Sequence, residues 1–235
     1  MKQSINIVWF KRDLRILDHE PLFKATQSGL PVLLLYIFEP MLLTDAHYSN
    51  RHFDFIKQSL QNMNEKLATI NTKVLSIDSE ALMAFKSLSD QYHIKNVFSY
   101  QETGLFKTYK RDIDLGHLFK SYGIQWQESV SNGVIRGLKN RTNWKEHWIQ
   151  FINADLQHPE FKKTSTFNIE VIQQLEQQFN TTNLQTKKNK FFQPGGTTTA
   201  FKYFDSFLKE RINGYNKYYS KPLTSRQHSS RLSPY

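Results

Sequence analysis

The amino-acid sequence predicts a doubly wound α/β fold, with a five-stranded parallel sheet flanked by helices. Two observations lead to this fold class. Short, almost wholly apolar runs recur through the first 130 residues, and amphipathic helical patterns separate them. Apolar runs without alternation are typical of strands that are covered on both faces. The regular succession of strand and helix then implies parallel pairing through right-handed crossovers.

Five segments have the pattern of short strands, and several of them are nearly all apolar, which suits a parallel sheet that is covered on both faces. The predicted strands are Ile5–Phe10, Val32–Phe38, Val74–Ile77, Asn96–Tyr100 and Ile124–Glu128.

Helical patterns lie between these strands. The clearest is an apolar stripe with spacings of three and four, formed by Phe53, Ile56, Leu60, Met63 and Leu67. Asp18 is placed to cap the first helix, and Pro21 suits its first turn. The other predicted helices are Glu20–Ser28, Glu80–Tyr92 and Lys107–Tyr122.

The alternation stops after residue 130. Helices are predicted near Trp144–Phe151 and within 168–180, and the polar, basic segment 180–196 ends in Pro-Gly-Gly, which is typical of a linker. A further helix begins at Thr197 or Thr198, with apolar residues along one face at Phe201, Phe204, Leu208 and Ile212. We therefore predict an α/β domain over 1–130, interdomain helices and a linker over 131–195, and a helical segment over 196–235.

Charge is unevenly distributed. The net charge is +10, but residues 1–130 hold 15 Lys and Arg against 14 Asp and Glu, whereas residues 131–235 hold 16 against 7. The second part could meet a phosphate-bearing partner such as nucleic acid, or its charge could serve only solubility. The absence of cysteine excludes disulfides and thiolate metal sites. No signal peptide or membrane span is predicted, so the expected compartment is the cytoplasm.

The stretch FKRDLR follows the first predicted strand. Ligands of open α/β sheets bind at the carboxyl ends of the strands. Arg12 and Arg15 could therefore reach a ligand anion, while Asp13 pairs with one of them and shapes the loop. The alternative is a solvated loop with an internal Arg–Asp pair.

Polar residues also follow the fourth predicted strand. Tyr100 offers a flat face, and Gln101 and Glu102 offer polar edges, so together they could seat a planar heterocycle; the alternative is a turn with a charged helix start. No G-x-G-x-x-G or Walker A pattern is present, which argues against ordinary dinucleotide or P-loop binding. The eight histidines show no metal-ligand spacing, and we assign no metal.

The last residues are rich in hydroxyl groups. Ser229, Ser230 and Ser233 could cradle a phosphate together with their backbone N–H groups, and Arg231 adds a positive charge. Serine-rich tails are also common in disordered segments, so this alternative remains open.

Taken together, these segments resemble the photolyase/cryptochrome family over nearly the whole chain. The first loop is similar to that family's W-F/H-R/K-R-D-L-R loop, and the later motifs follow in the family's order. The segments that carry the resemblance are VWFKRDLRILDHEPL, SNRHFDFIKQSLQNMNEKL, QETGLFKTYKRD, PGGTTTAFKYFDSFL, YNKYYSKP and SSRLSPY.

The sequence departs from the family pattern in three places. Asp18-His19 stands where the family usually has Asp-Asn, and His228-Ser229-Ser230 stands where it often has Gly-Thr-Ser before R-L-S. Family members also continue well beyond the R-L-S-P motif. We therefore expect a truncated all-α FAD-binding domain, with exposed apolar surface or disorder at Phe201, Phe204, Phe207 and Leu208.

The resemblance implies a blue-light-activated FAD flavoprotein, a deoxyribodipyrimidine photolyase that splits pyrimidine dimers in UV-damaged DNA by light-driven electron transfer. No residue of this chain matches the repair chemistry, so no catalytic residue is assigned, and we expect the fragment itself to be inactive. The positions that match FAD contacts are Tyr215, Ser229, Ser230, Arg231, Leu232 and Ser233.

An antenna chromophore, such as a reduced folate or a deazaflavin, is also implied for the α/β domain. No membrane or metal partner is implied. The residues that such an antenna would touch are Arg12, Phe38, Glu39, Arg51, Tyr100, Gln101, Glu102 and Arg111.

Three alternatives stay open. The first is a cryptochrome, which uses the same scaffold as a light sensor without repair. The second is a non-photochemical α/β nucleotide-binding module, which predicts ATP- or AMP-dependent stabilisation of residues 1–130. The third is a non-enzymatic fragment that binds no cofactor.

Overall fold

A computed structural model describes residues 1–161, 164–187 and 189–235. Five strands form a single sheet in which each pair of neighbours is parallel, so the predicted sheet is confirmed. The strands are β1 (Ser4–Phe10), β2 (Val32–Phe38), β3 (Leu75–Asp78), β4 (His93–Tyr100) and β5 (Gln125–Ser129). Their order in the sheet is β3-β2-β1-β4-β5. The order reverses between β1 and β4, which is the switch point where doubly wound folds bind ligands.

Both faces of the sheet are covered because side chains alternate along each strand. In β1, Ile7 and Trp9 face one apolar core, and Val8 and Phe10 face the other. All four are at most 1% exposed. This two-sided burial explains why the central strands β1 and β2 are almost wholly buried, whereas the edge strand β5 alternates between exposed and partly buried residues.

The predicted helices between the strands are present. A short helix, α2, was not predicted, and it begins at Pro40 directly after Glu39. The helices of this part are α1 (Glu20–Gln27), α2 (Pro40–Leu43), α3 (Asn50–Leu67), α4 (Ala81–Gln91) and α5 (Phe106–Tyr122).

The N-cap of α1 differs from the prediction. His19, not Asp18, caps the helix, because its Nδ1 accepts a hydrogen bond from the backbone N–H of Leu22. Asp18 instead adopts a left-handed backbone conformation with φ of 48° and accepts a hydrogen bond from the backbone N–H of Gln157. Asp18 therefore joins the first loop to a segment far along the chain.

Residues beyond 130 form further helices, some of which pack against the sheet. Phe167, Ile172 and Leu175 are buried in the core beside α4 and α5. The helices are α6 (Trp144–Ile152), α7 (Ile169–Glu176), α8 (Thr197–Ser206), α9 (Ile212–Tyr218) and α10 (Pro222–His228), with a π-helical turn at Phe207–Arg211. The division into domains stays a prediction.

Gly196, rather than a threonine, occupies the N-cap position of α8. Thr198 is turned towards α3, where its hydroxyl and backbone N–H bond to Asn62. Apolar side chains beyond this point are exposed as expected: Phe201 is 52%, Phe204 40% and Leu208 47% exposed, whereas Phe207 is partly buried.

The predicted linker also contacts the α/β part. Thr181 forms an isolated antiparallel bridge with Ile77, and Gln58 donates a hydrogen bond to the Thr186 hydroxyl. Gly195 lies so close to α3 that an added Cβ would be 2.1 Å from the carbonyl oxygen of Phe55. Throughout the described ranges, no helix has the length and apolar character needed to cross a bilayer.

Candidate functional site

A cavity of about 870 Å³ opens at the carboxyl ends of β1 and β2. It lies beside the switch point, and its volume is within the range of small-molecule sites. The loop after β1, the end of β2 and the first turns of α3 form one side. The other side is formed by residues 191–193, 196–197 and 233–235, together with Ala200 and Arg226. The site therefore combines segments that are more than 200 residues apart in the chain.

Aromatic side chains supply much of the wall. Tyr36 and Phe38 lie on one face of β2, opposite to Ile37, and their rings meet edge to face at 4.8 Å. Further aromatic side chains in the lining come from α3 and the loop before it, from the segment predicted as a linker, and from the last residue. They are Tyr48, Phe53, Phe55, Phe191, Phe192 and Tyr235. Flat apolar surfaces of this kind suit a planar ligand.

A buried charge cluster lies at one end of the cavity. The Arg111 guanidinium bonds to the carboxylates of Glu39, Glu102 (3.2 Å) and Asp112 (2.7 Å). Lys11 reaches the other oxygen of Asp112 at 2.9 Å. Each of these five side chains is at most 7% exposed. Such a cluster is stable only because nearly every charge has a partner.

Glu39 is the least satisfied member of the cluster. Its Oε1 accepts from Arg111, but its Oε2 has no hydrogen-bond partner among the described residues. Burial raises the pKa of Glu39 to about 7, although the Arg111 charge opposes the shift. Burial alone would lower the pKa of Arg111, but Glu39 and Asp112 together raise it. Arg111 therefore stays cationic while Glu39 can gain a proton near neutral pH.

A hydrogen bond between Asp13 and His19 holds the loop after β1 in shape. His19 Nε2 donates to Asp13 Oδ2 at 2.5 Å, and Asp13 Oδ1 accepts from the backbone N–H of Lys11 at 3.0 Å. Burial would raise the pKa of Asp13, but the hydrogen bonds from His19 and from the backbone N–H of Lys11 outweigh it and lower the pKa. The expected Arg–Asp pair is therefore absent from this loop: Arg12 pairs with Glu102 at 3.4 Å, and Arg15 bonds to the Asp18 carbonyl.

Tyr100 supports the same loop from behind. Its hydroxyl accepts from the backbone N–H of Glu20 at 3.1 Å and from Arg15 Nη2 at 3.4 Å. The ring of His19 meets the Tyr100 ring edge to face at 5.0 Å. Tyr100 is thus a buried residue that supports the loop from outside the cavity lining.

The structure brings five of the eight antenna candidates to the cavity. They are Arg12, Phe38, Glu39, Arg51 and Arg111. The remaining three lie elsewhere: Tyr100 supports the loop, Gln101 is joined through its backbone N–H to the Ser129 carbonyl, and Glu102 binds Arg12 and Arg111 from behind. Their contacts with an antenna stay predictions.

The six FAD candidates are spread along α9 and the end of the chain. Ser233 lines the cavity, whereas the Tyr215 ring contacts Phe207 and Tyr219. Arg231 has φ of 60°, and its carbonyl accepts a hydrogen bond from Gln193. The remaining members of this set, Ser229, Ser230 and Leu232, form the turn around it, in which the Leu232 N–H approaches the Ser230 hydroxyl at 3.4 Å.

Several cavity residues escaped the sequence analysis. Tyr36 lies within an apolar strand whose composition predicts core residues, yet its side chain, which is 6% exposed, borders the cavity. Phe191 and Phe192 lie in the segment predicted as a linker, and their adjacent aromatic rings were the available signal. Arg226 lies on α10, which had no clear helical pattern.

Sequence comparisons relate the chain to known proteins. The sequence model of the DNA photolyase family matches residues 6–139. Cryptochrome DASH of Synechocystis sp. is 30% identical over 101 residues, which is 41% of this chain and 21% of that protein. Deoxyribodipyrimidine photo-lyase of Vibrio cholerae is 26% identical over 151 residues, or 63% of this chain and 32% of the other.

Solved structures show the same fold. The Synechocystis sp. cryptochrome superposes with a TM-score of 0.70 at 18% identity and covers 100% of this chain. An archaeal photolyase from Sulfolobus tokodaii, solved with two FAD molecules, has a TM-score of 0.67 at 15% identity and covers 98% of this chain. The chain spans about half of these structures, 52% and 51%, and a smaller share of the curated relatives.

Proposed function

Because the chain belongs to the photolyase/cryptochrome family, we propose that it forms the light-collecting α/β part of a blue-light-activated flavoprotein. In this proposal the protein is a deoxyribodipyrimidine photolyase that acts on UV-damaged DNA. The observation that carries the proposal is the aromatic-walled cavity at the switch point. A planar chromophore placed there would be shielded from water by the walls described above.

The residues present fit a planar heterocycle. Glu39 Oε2 is a buried acceptor in the lining that bonds to no other described residue, and buried polar groups normally have partners. The Asp13–His19 hydrogen bond and the Tyr100 hydroxyl would hold the loop that carries Arg12 and Arg15 in position. The charge cluster around Arg111 would fix the end of β2 beside the ligand.

We further propose that Ser229, Ser230 and Arg231–Ser233 contribute to an FAD site, with Tyr215 nearby on α9. Serine hydroxyls and backbone N–H groups in a turn are suited to phosphate oxygens. Bound and reduced FAD would supply the electron that opens the dimer under blue light. The basic excess of residues 131–235 would attract the DNA backbone, so binding should weaken as salt increases.

The test is repair by the intact gene product. An oligonucleotide with a single cyclobutane pyrimidine dimer is illuminated with blue light, and recovery of the undamaged strand is followed by chromatography. Light-dependent recovery with a stoichiometric flavin spectrum supports the photolyase. A sample kept in the dark and an undamaged oligonucleotide serve as controls.

The second candidate is a cryptochrome-type light sensor, which the 30% identity to cryptochrome DASH favours. It predicts a bound flavin that is photoreduced under the same illumination while dimers stay intact in single- and double-stranded DNA. A protein that binds neither a flavin nor any other chromophore would contradict both candidates.

A further inference from the structure

The helix α6 exposes its apolar side chains. None of its residues is buried, although five of the nine are large and apolar. The exposed fractions lie between 37% and 49% for Trp144, Trp148, Ile149, Phe151 and Ile152. The preceding loop covers part of this face, because an added Cβ at Gly133 would lie 3.2 Å from Phe151 and 3.3 Å from Trp148. An isolated helix of this length is marginal in water, and exposed apolar surface of this kind marks a contact site.

The two tryptophans of α6 lie parallel to each other. They are one helical turn apart, with 6.2 Å between the ring centroids and an angle of 16° between the ring planes. Trp144 is 40% and Trp148 is 39% exposed, whereas Trp9 in the core is 1% exposed. Indole rings that water can reach offer flat π faces, and nucleobases stack on such faces whatever their sequence.

Positive charge surrounds these tryptophans. Residues 131–152 contain four Lys or Arg and a single acidic residue, Glu146. Arg136 is paired with Glu128 at 2.8 Å. The other three cationic side chains are exposed and form no ion pair with any residue that the structure describes; they are Lys139, Arg141 and Lys145. We call these three residues, together with Trp144 and Trp148, the α6 patch.

The single carboxylate of this segment lies away from the patch. A helix rotates by about 100° per residue, so Glu146 lies roughly 180° around α6 from the midpoint of the two tryptophans. Lys145 lies only about 80° from the same midpoint. The side of α6 that carries the tryptophans is therefore cationic. An anionic partner complements it, whereas an apolar surface of another protein would leave three cations without counter-charges.

From this arrangement, we propose that the α6 patch binds single-stranded DNA, with bases stacked on Trp144 and Trp148 and with phosphates bound by Lys139, Arg141 and Lys145. A single strand fits better than a duplex, because pairing and stacking within a duplex cover the base faces that the indole rings need. None of the five residues lines the cavity beside β1 and β2. The choice of DNA rests on the function proposed above, but this contact requires neither flavin, light nor a lesion.

The experiment measures binding of undamaged oligonucleotides in the dark. Fluorescence anisotropy follows a labelled thymidine oligonucleotide of about 16 nucleotides as the 235-residue chain is added at 50 mM and 200 mM NaCl. We expect the single strand to bind at least about fivefold tighter than its duplex with a deoxyadenosine strand. Affinity for the single strand should fall as salt increases, because phosphate contacts release counterions.

Tryptophan variants test the stacking. Trp144→Leu and Trp148→Leu keep an apolar side chain but remove the π face, so each should weaken binding of the single strand at least roughly fivefold. Trp148→Phe should retain most of the affinity, because phenylalanine can still stack on a base. The matched control is Phe106→Leu, which removes an aromatic ring on α5 that is 81% exposed and should leave the affinity unchanged. Circular dichroism verifies that each variant is folded.

Charge variants test the phosphate contacts. Lys139→Gln and Arg141→Gln should each reduce the steepness of log affinity against log salt by roughly 0.7, the value for one phosphate of a single strand. The matched control is Lys95→Gln, because Lys95 is exposed near the amino end of β4 and lies outside the α6 patch. The salt dependence of the control should equal that of the wild type.

The outcomes separate this inference from the proposed function. If Trp144→Leu and Trp148→Leu bind the undamaged strand as tightly as the wild type, the α6 patch is refuted, whether or not dimers are repaired. Strand binding that depends on both tryptophans, without any repair under blue light, would refute the photolyase and support the patch. A loss in Phe106→Leu as large as in Trp144→Leu, or tighter binding of a uridine oligonucleotide of equal length, would also overturn the inference.

Discussion

The 2.5 Å hydrogen bond from His19 Nε2 to Asp13 Oδ2 joins the two ends of the loop that follows β1. The same imidazole caps α1 through Nδ1, so one side chain fixes both the loop and the helix start. His19 has no exposed surface, and Asp13 is 8% exposed. The position at which the family usually has asparagine thus combines two functions here.

Replacing His19 with alanine should lower the free energy of unfolding by about 2–4 kcal/mol, because Asp13 loses its partner and α1 loses its cap. His19→Asn should lower the free energy of unfolding by a smaller amount, since asparagine can still cap the helix. Urea denaturation followed by circular dichroism measures both. His93→Ala, at an exposed position, is the control. An unfolding free energy for His19→Ala equal to that of the control would contradict the dual role.

Glu39 should make stability depend on pH near neutrality. Its pKa is raised from 4.5 to about 7 in the folded protein, so the folded state holds an extra proton between these values. The contribution of Glu39 to the free energy of unfolding is therefore fully present below about pH 4.5. It is lost as the pH rises through 7, by about 3 kcal/mol in total.

The measurement compares wild type with Glu39→Gln by urea denaturation from pH 5 to pH 8. As the pH rises, the unfolding free energy of the wild type should fall relative to that of Glu39→Gln. Glu65→Gln, at an exposed carboxylate, should show a flat difference across the same range. A flat difference for Glu39→Gln as well would mean that Glu39 is ionised throughout.

Arg111 should be essential to the buried cluster. Arg111→Met leaves Glu39, Glu102 and Asp112 without their main counter-charge, and we expect a loss of about 3–5 kcal/mol. Arg111→Lys should retain only part of the stability that Arg111→Met loses, because lysine lacks the planar guanidinium group that can bind several carboxylates at once. Adding Glu39→Gln to Arg111→Met should restore some stability. Additive losses in the double variant would argue against the cluster.

Gly195 should determine how closely the segment 191–196 approaches α3. In Gly195→Ala the new Cβ would lie 2.1 Å from the Phe55 carbonyl oxygen, so the segment must move away and the cavity loses a wall. We expect faster tryptic cleavage at Lys187 or Lys190 and weaker binding of any cavity ligand. Gly116→Ala is the control, because nothing lies within 4 Å of its added Cβ and alanine favours a helix interior. Identical cleavage rates would show that the contact is not tight in solution.

The sheet could be predicted because its central strands are buried on both faces, which gives Val32–Phe38 an unbroken apolar sequence. The N-cap residue of α1 could not be predicted, because Asp18 and His19 are both polar and only the backbone conformation of Asp18 decides which of them caps the helix. The sequence predicted some of the residues that line the cavity and missed others. Arg12 and Glu39 follow strands, where sheet topology places ligands, but Arg226 is 175 residues from Arg51, and no local pattern joins them.

The position of β1 in the sheet has a consequence for synthesis of the protein. β1 leaves the ribosome before the other four strands of its sheet, yet it occupies the middle of the sheet, where Asn6 pairs with Asn96 of β4. An apolar strand with no polar face must therefore wait until about ninety more residues have been translated before both its edges are covered. We expect nascent chains that stall before β4 to be recognised by chaperones that bind exposed apolar segments.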